Sequence, residues 1–404
     1  MARFRRQISE GEEQRAANLE LFYDLVFVFA ITQVSHLLLE HLTWQGAGQA
    51  LLVLLVVWWS WTYTTWVTNE LDTDSPVIRL LLIALMLASL LMAIAIPEAF
   101  GDKGLLFAGS YFAIQVGRHA FLTFVVADAR TIERERAGRI LTWLFAAGVL
   151  WLAGGFAEGG ARTALWVAAL MIDYGAPACL YWVPGRKPLT GDSWDLETSH
   201  FAERFQLFII IALGETIVLT GATTSGLDLT TARIAALAIA FLTTAALWWL
   251  YFGYVADISQ RRLTLAHDAG LLARDGFTYL HVVLVAGIIV SAVGDELMIA
   301  HPSDELPVAE LAMLVSGPAI YLLGHVLFRL RLAGTVSWRR LAGAVACLAI
   351  GVIGTVVPAM VLGGLIVGVL VAVIVSERRA ASRRSARGEP SPIERLEAAA
   401  AARG

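Results

Sequence analysis

Long apolar stretches, separated by short polar segments, dominate the chain. A helix needs about 20 mostly apolar residues to cross the hydrocarbon layer of a bilayer, and the polar segments divide the chain into twelve stretches of that size. We number them spans 1 to 12, with approximate bounds 20–40, 47–68, 77–97, 104–126, 139–157, 162–183, 202–222, 230–255, 276–298, 308–328, 339–356 and 358–376. Spans 11 and 12 form one apolar run that Pro358 divides, because proline interrupts a helix. The pattern predicts an all-α polytopic membrane protein.

Basic residues alternate with the predicted spans, and this orients the chain. Cytoplasmic loops of membrane proteins are enriched in Lys and Arg. If both termini are cytoplasmic, Lys103, Arg162 and Arg233 are the basic residues on the outer side, Arg118 lies within a span, and the rest of the 30 are inside. Adding or removing one span in mid-chain would destroy this alternation. We therefore expect twelve transmembrane helices with cytoplasmic N and C termini.

Composition supports a membrane protein and excludes several other classes. Apolar residue types make up 58% of the 404 residues and charged types 16%, whereas soluble domains have about 45–50% and about 25%. The net charge of −4 does not suit a nucleic-acid-binding protein, which needs a basic surface. The two cysteines, Cys179 and Cys347, lie in apolar runs, so a disulfide framework or a cysteine zinc site is not expected.

The two halves of the chain resemble each other, which predicts an internal repeat. Span 1 reads ELFYDLVFVFAITQ from Glu20, and span 7 reads ERFQLFIIIALGET from Glu203. His119 in span 4 also matches His325 in span 10. Halves that are six spans apart have the same orientation, so the repeat would be parallel, with its axis along the membrane normal. Chance similarity between apolar helices is the alternative.

This organisation divides the chain into five segments. We expect a cytoplasmic N-terminal segment (1–18), two six-helix repeats (19–183 and 200–376) joined by a cytoplasmic linker (184–199), and a cytoplasmic tail (377–404). The tail is rich in Ala, Arg, Ser, Glu and Pro, so we expect it to be disordered apart from a short helix near its end. Its arginines could contact anionic lipid headgroups or act only as a positive-inside anchor.

Several ionisable residues fall inside the predicted spans. Such residues cost about 2.5–3.5 kcal/mol each at the middle of a helix, so they usually face the protein interior and find partners. Span 1 carries Glu20 and Asp24 one helical turn apart near its cytoplasmic end, and Arg118 and His119 lie at a similar depth in span 4. We therefore expect Asp24 or Glu20 to pair with Arg118. The second half repeats the theme with the residues Glu203, Arg204 and His325. The cluster either fixes helix packing or forms a vestibule that gathers cations or relays protons.

Two further carboxylates lie deeper. Glu215 is in the middle of span 7, where a buried carboxylate needs a donor such as Gln33 of span 1. Its role could be ion or proton binding or an interhelical hydrogen bond. Asp173 in span 6 comes before Pro177, where a helix break would leave backbone groups that need partners.

Motifs for enzyme chemistry are missing from the sequence. The chain has no phosphate-binding loop, dinucleotide fingerprint or nucleophile elbow. His200 and Glu203 lie one helical turn apart, but a metal site needs more ligands than these. We predict that the protein is not an enzyme and needs no cofactor or metal.

Three segments resemble the bacterial low temperature requirement A (LtrA) proteins. These are the span 1 sequence given above, HFAERFQLFIIIALGET from His200, and the HDAG and YLH motifs between His267 and His281. The resemblance extends over about spans 1 to 10. It implies a polytopic protein of the bacterial inner membrane, with no particular mechanism.

Span 1 is also similar to the first helix of the endolysosomal potassium and proton channels, whose signature is FSDxVFAIAIT. Phe22 and Asp24 occupy the matching positions, but Tyr23 replaces the serine, and span 7 has Phe205-Gln206-Leu207 without an aspartate. In that group two six-helix repeats place the pore on helices 1 and 7. The likeness implies that bulky residues on spans 1 and 7 would form a hydrophobic constriction that gates by dewetting.

We therefore expect a cation or proton channel in the bacterial inner membrane, lined by spans 1 and 7 and built as a homodimer. A secondary transporter of a small solute is the first alternative, with a central site made by Glu215, Gln33, Arg118 and Asp173. A membrane scaffold that transports nothing is the second.

Overall fold

The computed structural model describes residues 16–128, 131–186, 189, 194 and 196–402, and the described residues contain no β-strand. Most of the predicted N-terminal segment, part of the linker, Arg130 and Lys187 lie outside the described residues. The α-helices are α1 (Asn18–Glu40), α2 (Trp44–Glu70), α3 (Pro76–Ala95), α4 (Gly104–Phe112), α5 (Arg118–Phe121), α6 (Ile132–Phe156), α7 (Gly159–Ala178), α8 (Thr198–Ser225), α9 (Thr231–Phe252), α10 (Val255–Thr264), α11 (Ala269–Leu272), α12 (His281–Ala300), α13 (Val308–Ala333), α14 (Trp338–Ile350), α15 (Ala359–Ala386) and α16 (Pro392–Ala401).

Ten helical segments within the described residues are long and apolar enough to cross a membrane. They do not include spans 4 and 6 of the sequence prediction. Span 4 is divided into α4 and α5 by a π-helical turn (Ala113–Gly117), and a second π-helical turn (Leu122–Val126) follows α5. Span 6 corresponds to α7, whose interior contains Asp173 and a proline, and both residues lower the mean hydropathy of the helix. The expected break at Pro358 is present, because α15 begins at Ala359.

The helices group into two compact units. The first unit comprises Met1–Leu37 and Gly48–Phe201, and the second comprises Leu38–Ala47 and Ala202–Gly404. The cut at residue 201 lies beside the start of the second predicted repeat at 200. The ten residues around the α1–α2 connection belong to the second unit, which the sequence did not indicate.

Small residues let helices approach closely in both units, as is usual in membrane proteins. In the first unit a Cβ atom added to Gly154 of α6 would lie 2.4 Å from the Trp166 ring on α7. In the second unit, α12 and α13 touch backbone to backbone. A Cβ atom on Gly287 would lie 2.5 Å from the Tyr321 nitrogen, and one on Gly317 would lie 2.4 Å from the Ser291 nitrogen.

The C-terminal tail contains more helix than the sequence prediction allowed. The last membrane helix, α15, continues to Ala386, ten residues past the predicted end of span 12. Helix α16 then begins with a capping box made by Ser391 and Glu394. Alanine and arginine have high helix propensity, and a helix that continues from an existing one needs no new nucleus. The short helix near the end matches the one expected there.

Candidate functional site

Most of the predicted site residues are buried. The eight buried residues, each at most 2% exposed, are Glu20, Asp24, Arg118, His119, Asp173, Arg204, Glu215 and His325. Gln33 and Glu203 are half-buried, and Phe22 is 55% exposed. The burial of so many ionisable groups within apolar helices means that partners inside the protein must compensate for their lost hydration.

Two π-helical turns bracket Arg118 and His119. A π-helical turn contains an extra residue, leaves backbone groups less regularly bonded and is often found at functional sites. The turns cover Ala113–Gly117 and Leu122–Val126, so the four residues of α5 between them are the only regular α-helical turn in this part of the chain. The Arg118 and His119 side chains are 0% and 2% exposed.

Arg118 lies at the centre of a hydrogen-bonded chain in the first unit. Its guanidinium donates to the Thr64 hydroxyl (Nη1 to Oγ1, 2.8 Å), to the Ser60 carbonyl (3.3 Å) and to the Gln115 amide oxygen. Thr64 also shares a hydrogen bond of 2.9 Å with the Tyr23 hydroxyl on α1. Arg118 therefore connects α1, α2 and its own helix.

The chain continues from Gln115 to Asp173. Gln115 donates to the Tyr111 hydroxyl (3.0 Å), and Tyr111 donates to Asp173 Oδ2 (2.9 Å). The Trp151 ring nitrogen donates to the same carboxylate oxygen (2.9 Å). Two neutral side chains thus separate the Arg118 cation from the Asp173 carboxylate. We refer to Arg118, Gln115, Tyr111 and Asp173 as the Arg118–Asp173 chain.

This arrangement corrects one expectation from the sequence. Arg118 was expected to pair with Asp24 or Glu20, but none of its hydrogen bonds to the described residues reaches a carboxylate. Sequence spacing placed these residues at a similar depth in the predicted spans and so suggested a pair. The direction in which Arg118 points depends on the π-helical turns, which spacing did not indicate.

Glu20 and Asp24 have other partners. Glu20 Oε2 lies 2.9 Å from His200 Nε2, and both side chains are fully buried. The other ring nitrogen of His200 lies 3.1 Å from the Asn69 side-chain amide. Asp24 accepts a hydrogen bond of 2.8 Å from the Trp61 ring nitrogen. These contacts fasten the start of α1 to α2 and to the first residues of α8.

His119 lies beside the Arg118–Asp173 chain. Its Nδ1 is 3.2 Å from the Gln115 carbonyl, and its ring meets the Tyr63 ring edge to face. The Tyr63 ring also lies 5.4 Å from the Arg118 guanidinium, and its hydroxyl is 2.7 Å from that of Tyr181. Aromatic faces stabilise a buried guanidinium by cation–π attraction.

The second unit has buried polar contacts of its own. A π-helical stretch (Ala273–Leu280) directly precedes His281, whose Nε2 lies 2.8 Å from the Tyr251 hydroxyl. Both ring nitrogens of His325 are buried and have no hydrogen-bond partner among the described residues. In α8, Thr216 next to Glu215 shares a hydrogen bond of 2.7 Å with Thr244.

The sequence analysis missed several members of these clusters. Gln115 and Tyr111 precede Arg118 at intervals of three and seven residues, and polar residues at such spacing within an apolar span were an available signal. Asp295 is 3% exposed in α12, and its Oδ2 has no hydrogen-bond partner in the described chain. It falls within predicted span 9 (276–298) but was not among the predicted site residues. Among the described residues, no group of three or more His, Cys, Asp or Glu side chains could hold a metal ion.

Comparisons with known proteins agree with the sequence resemblance. Residues 15–375 match the family model described as bacterial low temperature requirement A protein (LtrA). The chain is also 39% identical over 317 residues to an uncharacterized protein of Rhizobium meliloti (strain 1021), a match that covers 78% of this chain and 76% of that protein. No solved structure matches the chain.

Proposed function

Since the chain belongs to the bacterial low temperature requirement A family and is a multi-pass membrane protein, we propose that it moves protons or a small cation across the inner membrane. The observation that carries this proposal is the Arg118–Asp173 chain. Ionisable residues inside membrane helices are costly, and they mark ion pathways and proton relays in membrane proteins.

Asp173 is the group in this chain that can take up and release a proton. Its Oδ2 accepts hydrogen bonds from Tyr111 and Trp151, whereas its Oδ1 accepts none from the described residues. The carboxylate is 2% exposed, so its negative charge is poorly hydrated. A proton that binds to Oδ1 removes this charge without breaking either hydrogen bond. Tyr111, Gln115 and Arg118 extend the polar path over about 10 Å of helix rise.

We place the pore of the proposed channel on α1 and α8, the helices of spans 1 and 7, in a homodimer. Phe22, Leu25 and Phe29 form an exposed apolar row on α1. Ile210, Ile217 and Val218 form a similar row on α8. Such rows support a hydrophobic constriction when two copies surround a common axis. Single-channel recording tests this route, because serine at Phe22 and Phe29 should raise conductance.

Proton flux into proteoliposomes tests the proposed function. The purified protein is reconstituted with a pH-sensitive dye inside, and a potassium gradient with valinomycin imposes a membrane potential. We expect wild-type vesicles to acidify faster than empty ones, and D173N and D24N to reduce the flux to nearly that of empty vesicles. D74N is the matched control, because the Asp74 side chain is 88% exposed and pairs with Arg79 at the surface. If vesicles with the wild-type protein show no more flux of protons, potassium or sodium than empty vesicles, the proposal is contradicted and a scaffold is favoured.

A secondary transporter is the second candidate, and the opposite buried charges of Arg118 and Asp173 favour it. A buried cation and a buried carboxylate joined through neutral groups can bind a zwitterionic or anionic solute in place of their present partners. The proposed central site also includes Glu215 and Gln33. Saturable counterflow of a small solute that is lost in E215Q would support the transporter, whereas current that increases linearly with voltage would support the channel.

We also propose the finer topology of twelve spans in two parallel six-helix repeats, with both termini cytoplasmic. The distribution of arginine and the resemblance of α1 to α8 support it. Single cysteines placed in each loop, in a variant without Cys179 and Cys347, should alternate in their reaction with an impermeant thiol reagent. Two successive loops that react from the same side would contradict the topology.

A further inference from the structure

A cavity of about 560 Å³ lies within the second unit, where α9 meets α10 and where α13 ends. Helices α15 and α16 complete its wall. Seven arginines and one glutamate occur among its described lining residues, and apolar side chains such as Phe328, Leu332 and Ile374 form the remainder. The cavity volume falls in the range of about 300–1,000 Å³ that is typical of small-molecule sites.

The single acidic residue of the lining does not neutralise this cavity. Glu377 accepts two hydrogen bonds from Arg340, at 2.9 and 3.0 Å, so its charge is already matched. Arg262 donates to the Leu332 carbonyl and Arg329 to the Thr335 hydroxyl, both of which are neutral. Most of the positive charge in the cavity therefore has no anionic partner among the described residues.

The side chains of two lining arginines form no hydrogen bond or ion pair with the described residues. These are Arg339, in the first turn of α14, and Arg384, near the end of α15. Guanidinium groups carry donors in a planar fork that matches phosphate oxygens, and their attraction is strongest where they converge on one oxyanion. Two such groups in one cavity provide the donors that a phosphate requires.

His325 gives a second and independent observation. Its ring lines the inner part of the cavity, is 1% exposed and packs edge to face on Tyr321 at 4.7 Å. Both of its ring nitrogens are buried without a hydrogen-bond partner in the described chain. A buried polar group without a partner is costly, and a ligand that enters the cavity can supply the missing acceptor or donor.

The cavity lining includes a pair of residues, Trp249 and Arg378, of types that are common at membrane interfaces. Arg378 lies over the half-exposed Trp249 ring, with the guanidinium carbon 4.3 Å from the ring centroid. Tryptophan and arginine are enriched where membrane helices reach the lipid headgroups. The apolar lining next to the arginines would accommodate a glycerol backbone and the first methylene groups of an acyl chain.

From these observations we propose that the cavity binds the phosphate group of an anionic lipid, with Arg339 and Arg384 as its principal ligands. His325 makes a further hydrogen bond from the inner end. A lipid headgroup and free inorganic phosphate would both present phosphate oxygens to these arginines. The apolar wall and the volume of the cavity favour the lipid over the free ion.

Binding of short-chain lipids to the delipidated full-length protein in a neutral detergent tests this proposal by native mass spectrometry. The probes are dioctanoyl phosphatidic acid, dioctanoyl phosphatidylcholine and inorganic phosphate. We expect saturable binding of phosphatidic acid at one site, weakened about tenfold or more in R339Q/R384Q, because each variant residue loses a charge-assisted hydrogen bond. H325N, which keeps a side-chain donor, should weaken it less than H325L.

The matched control is R379Q/R383Q. Both of these arginines are exposed on the same helix α15 and neither lines the cavity, so the net charge changes equally while the cavity is unchanged. The control should bind phosphatidic acid like the wild type. Inorganic phosphate that binds at this site as tightly as phosphatidic acid would assign the site to a soluble anion and overturn the lipid proposal. Equal binding of phosphatidylcholine, equal weakening by the control, or no saturable binding would overturn the proposal. Thermal melting without lipid checks that each variant is folded.

Discussion

The two compact units bury similar polar residues but satisfy them differently. In the first unit, Arg118 and Asp173 are joined through Gln115 and Tyr111, and neighbouring hydroxyls complete the chain. In the second unit, His281 has one close side-chain partner in Tyr251, and His325 has none among the described residues. A π-helical segment precedes a buried histidine in each unit.

This difference indicates that the two units have different roles. A continuous hydrogen-bonded network rigidifies the helices that carry it, because moving one member breaks its hydrogen bonds to the others. An incomplete one beside a cavity keeps the capacity to bind something else. The first unit is thus suited to hold charge in place inside the membrane, and the second to receive a ligand at its edge.

Removal of the Arg118 guanidinium should give the largest loss of stability. R118M removes the Arg118 donor from the Gln115 amide oxygen, and it removes one of the hydrogen bonds of the Thr64 hydroxyl and of the Ser60 carbonyl. We expect the free energy of unfolding to fall by about 3–5 kcal/mol, because a hydrogen bond from a charged donor contributes about 1.5–3 kcal/mol and several such bonds are lost. Unfolding in mixed micelles, followed by circular dichroism, measures this. R339M in the second unit is the control and should change stability by less than about 0.5 kcal/mol, because that side chain is exposed. Equal losses would remove the contrast between the units.

The second unit should be more sensitive to helix spacing. G317A places a methyl group against the Ser291 backbone nitrogen, 2.4 Å away before relaxation, so α12 and α13 must separate. We expect a loss of about 2–3 kcal/mol from overpacking. In the same unit, G368A meets no atom within 4 Å and should be neutral or stabilising by helix propensity. Hydrogen exchange should locate the G317A loss in α12 and α13, and an unchanged exchange pattern there would show that the close approach is unimportant.

Removing one tyrosine hydroxyl from each unit should have unequal effects. Y251F leaves His281 Nε2 buried without this partner and should cost about 2 kcal/mol, the desolvation cost of an unsatisfied group. Y23F should cost about 1 kcal/mol, since Thr64 still accepts from Arg118 and donates to the Ser60 carbonyl. The same unfolding assay compares the two variants. A larger loss of unfolding free energy in Y23F than in Y251F would contradict the expectation that the first unit tolerates the removal of one hydroxyl better.

Changing His325 should have the smallest effect on stability. H325F removes no hydrogen bond to a described residue and retains an aromatic ring against Tyr321, so we expect a change of less than about 1 kcal/mol. H281F, by comparison, loses its contact with Tyr251 and should cost more. A large loss in H325F, measured in delipidated protein, would show that this histidine has a structural partner.

The sequence predicted the helices better than their interior contacts. Apolar length and arginine distribution located most spans within a few residues, for example 20–40 against Asn18–Glu40 for α1. Hydropathy reports how deep a residue lies, because the bilayer selects for it. It does not report the angle around the helix at which a side chain points, and that angle decides partners. Arg118 was therefore placed inside a predicted span and given the wrong partner.

Residues near helix ends were the other source of error. The tail was expected from its polar composition to be disordered apart from a short helix, whereas α15 continues to Ala386. His200 was considered only as a metal ligand with Glu203, whereas in the structure it contacts Glu20, 180 residues away in the chain. Pairing at that separation depends on the packing of whole helices, for which one sequence contains no direct signal.

The π-helical turn at Ala113–Gly117 has a consequence for how insertions and deletions are tolerated. An α-helix advances about 100° per residue, so deletion of a single residue in this turn would rotate everything that follows by that amount. Arg118 would then turn away from Thr64, although the hydropathy profile of the segment would be nearly unchanged. Two sequences that differ by one residue here could look equivalent as membrane helices and yet differ in whether they retain the buried charge. Alignments of related chains should therefore be read for gaps at this turn before Arg118 is compared between them.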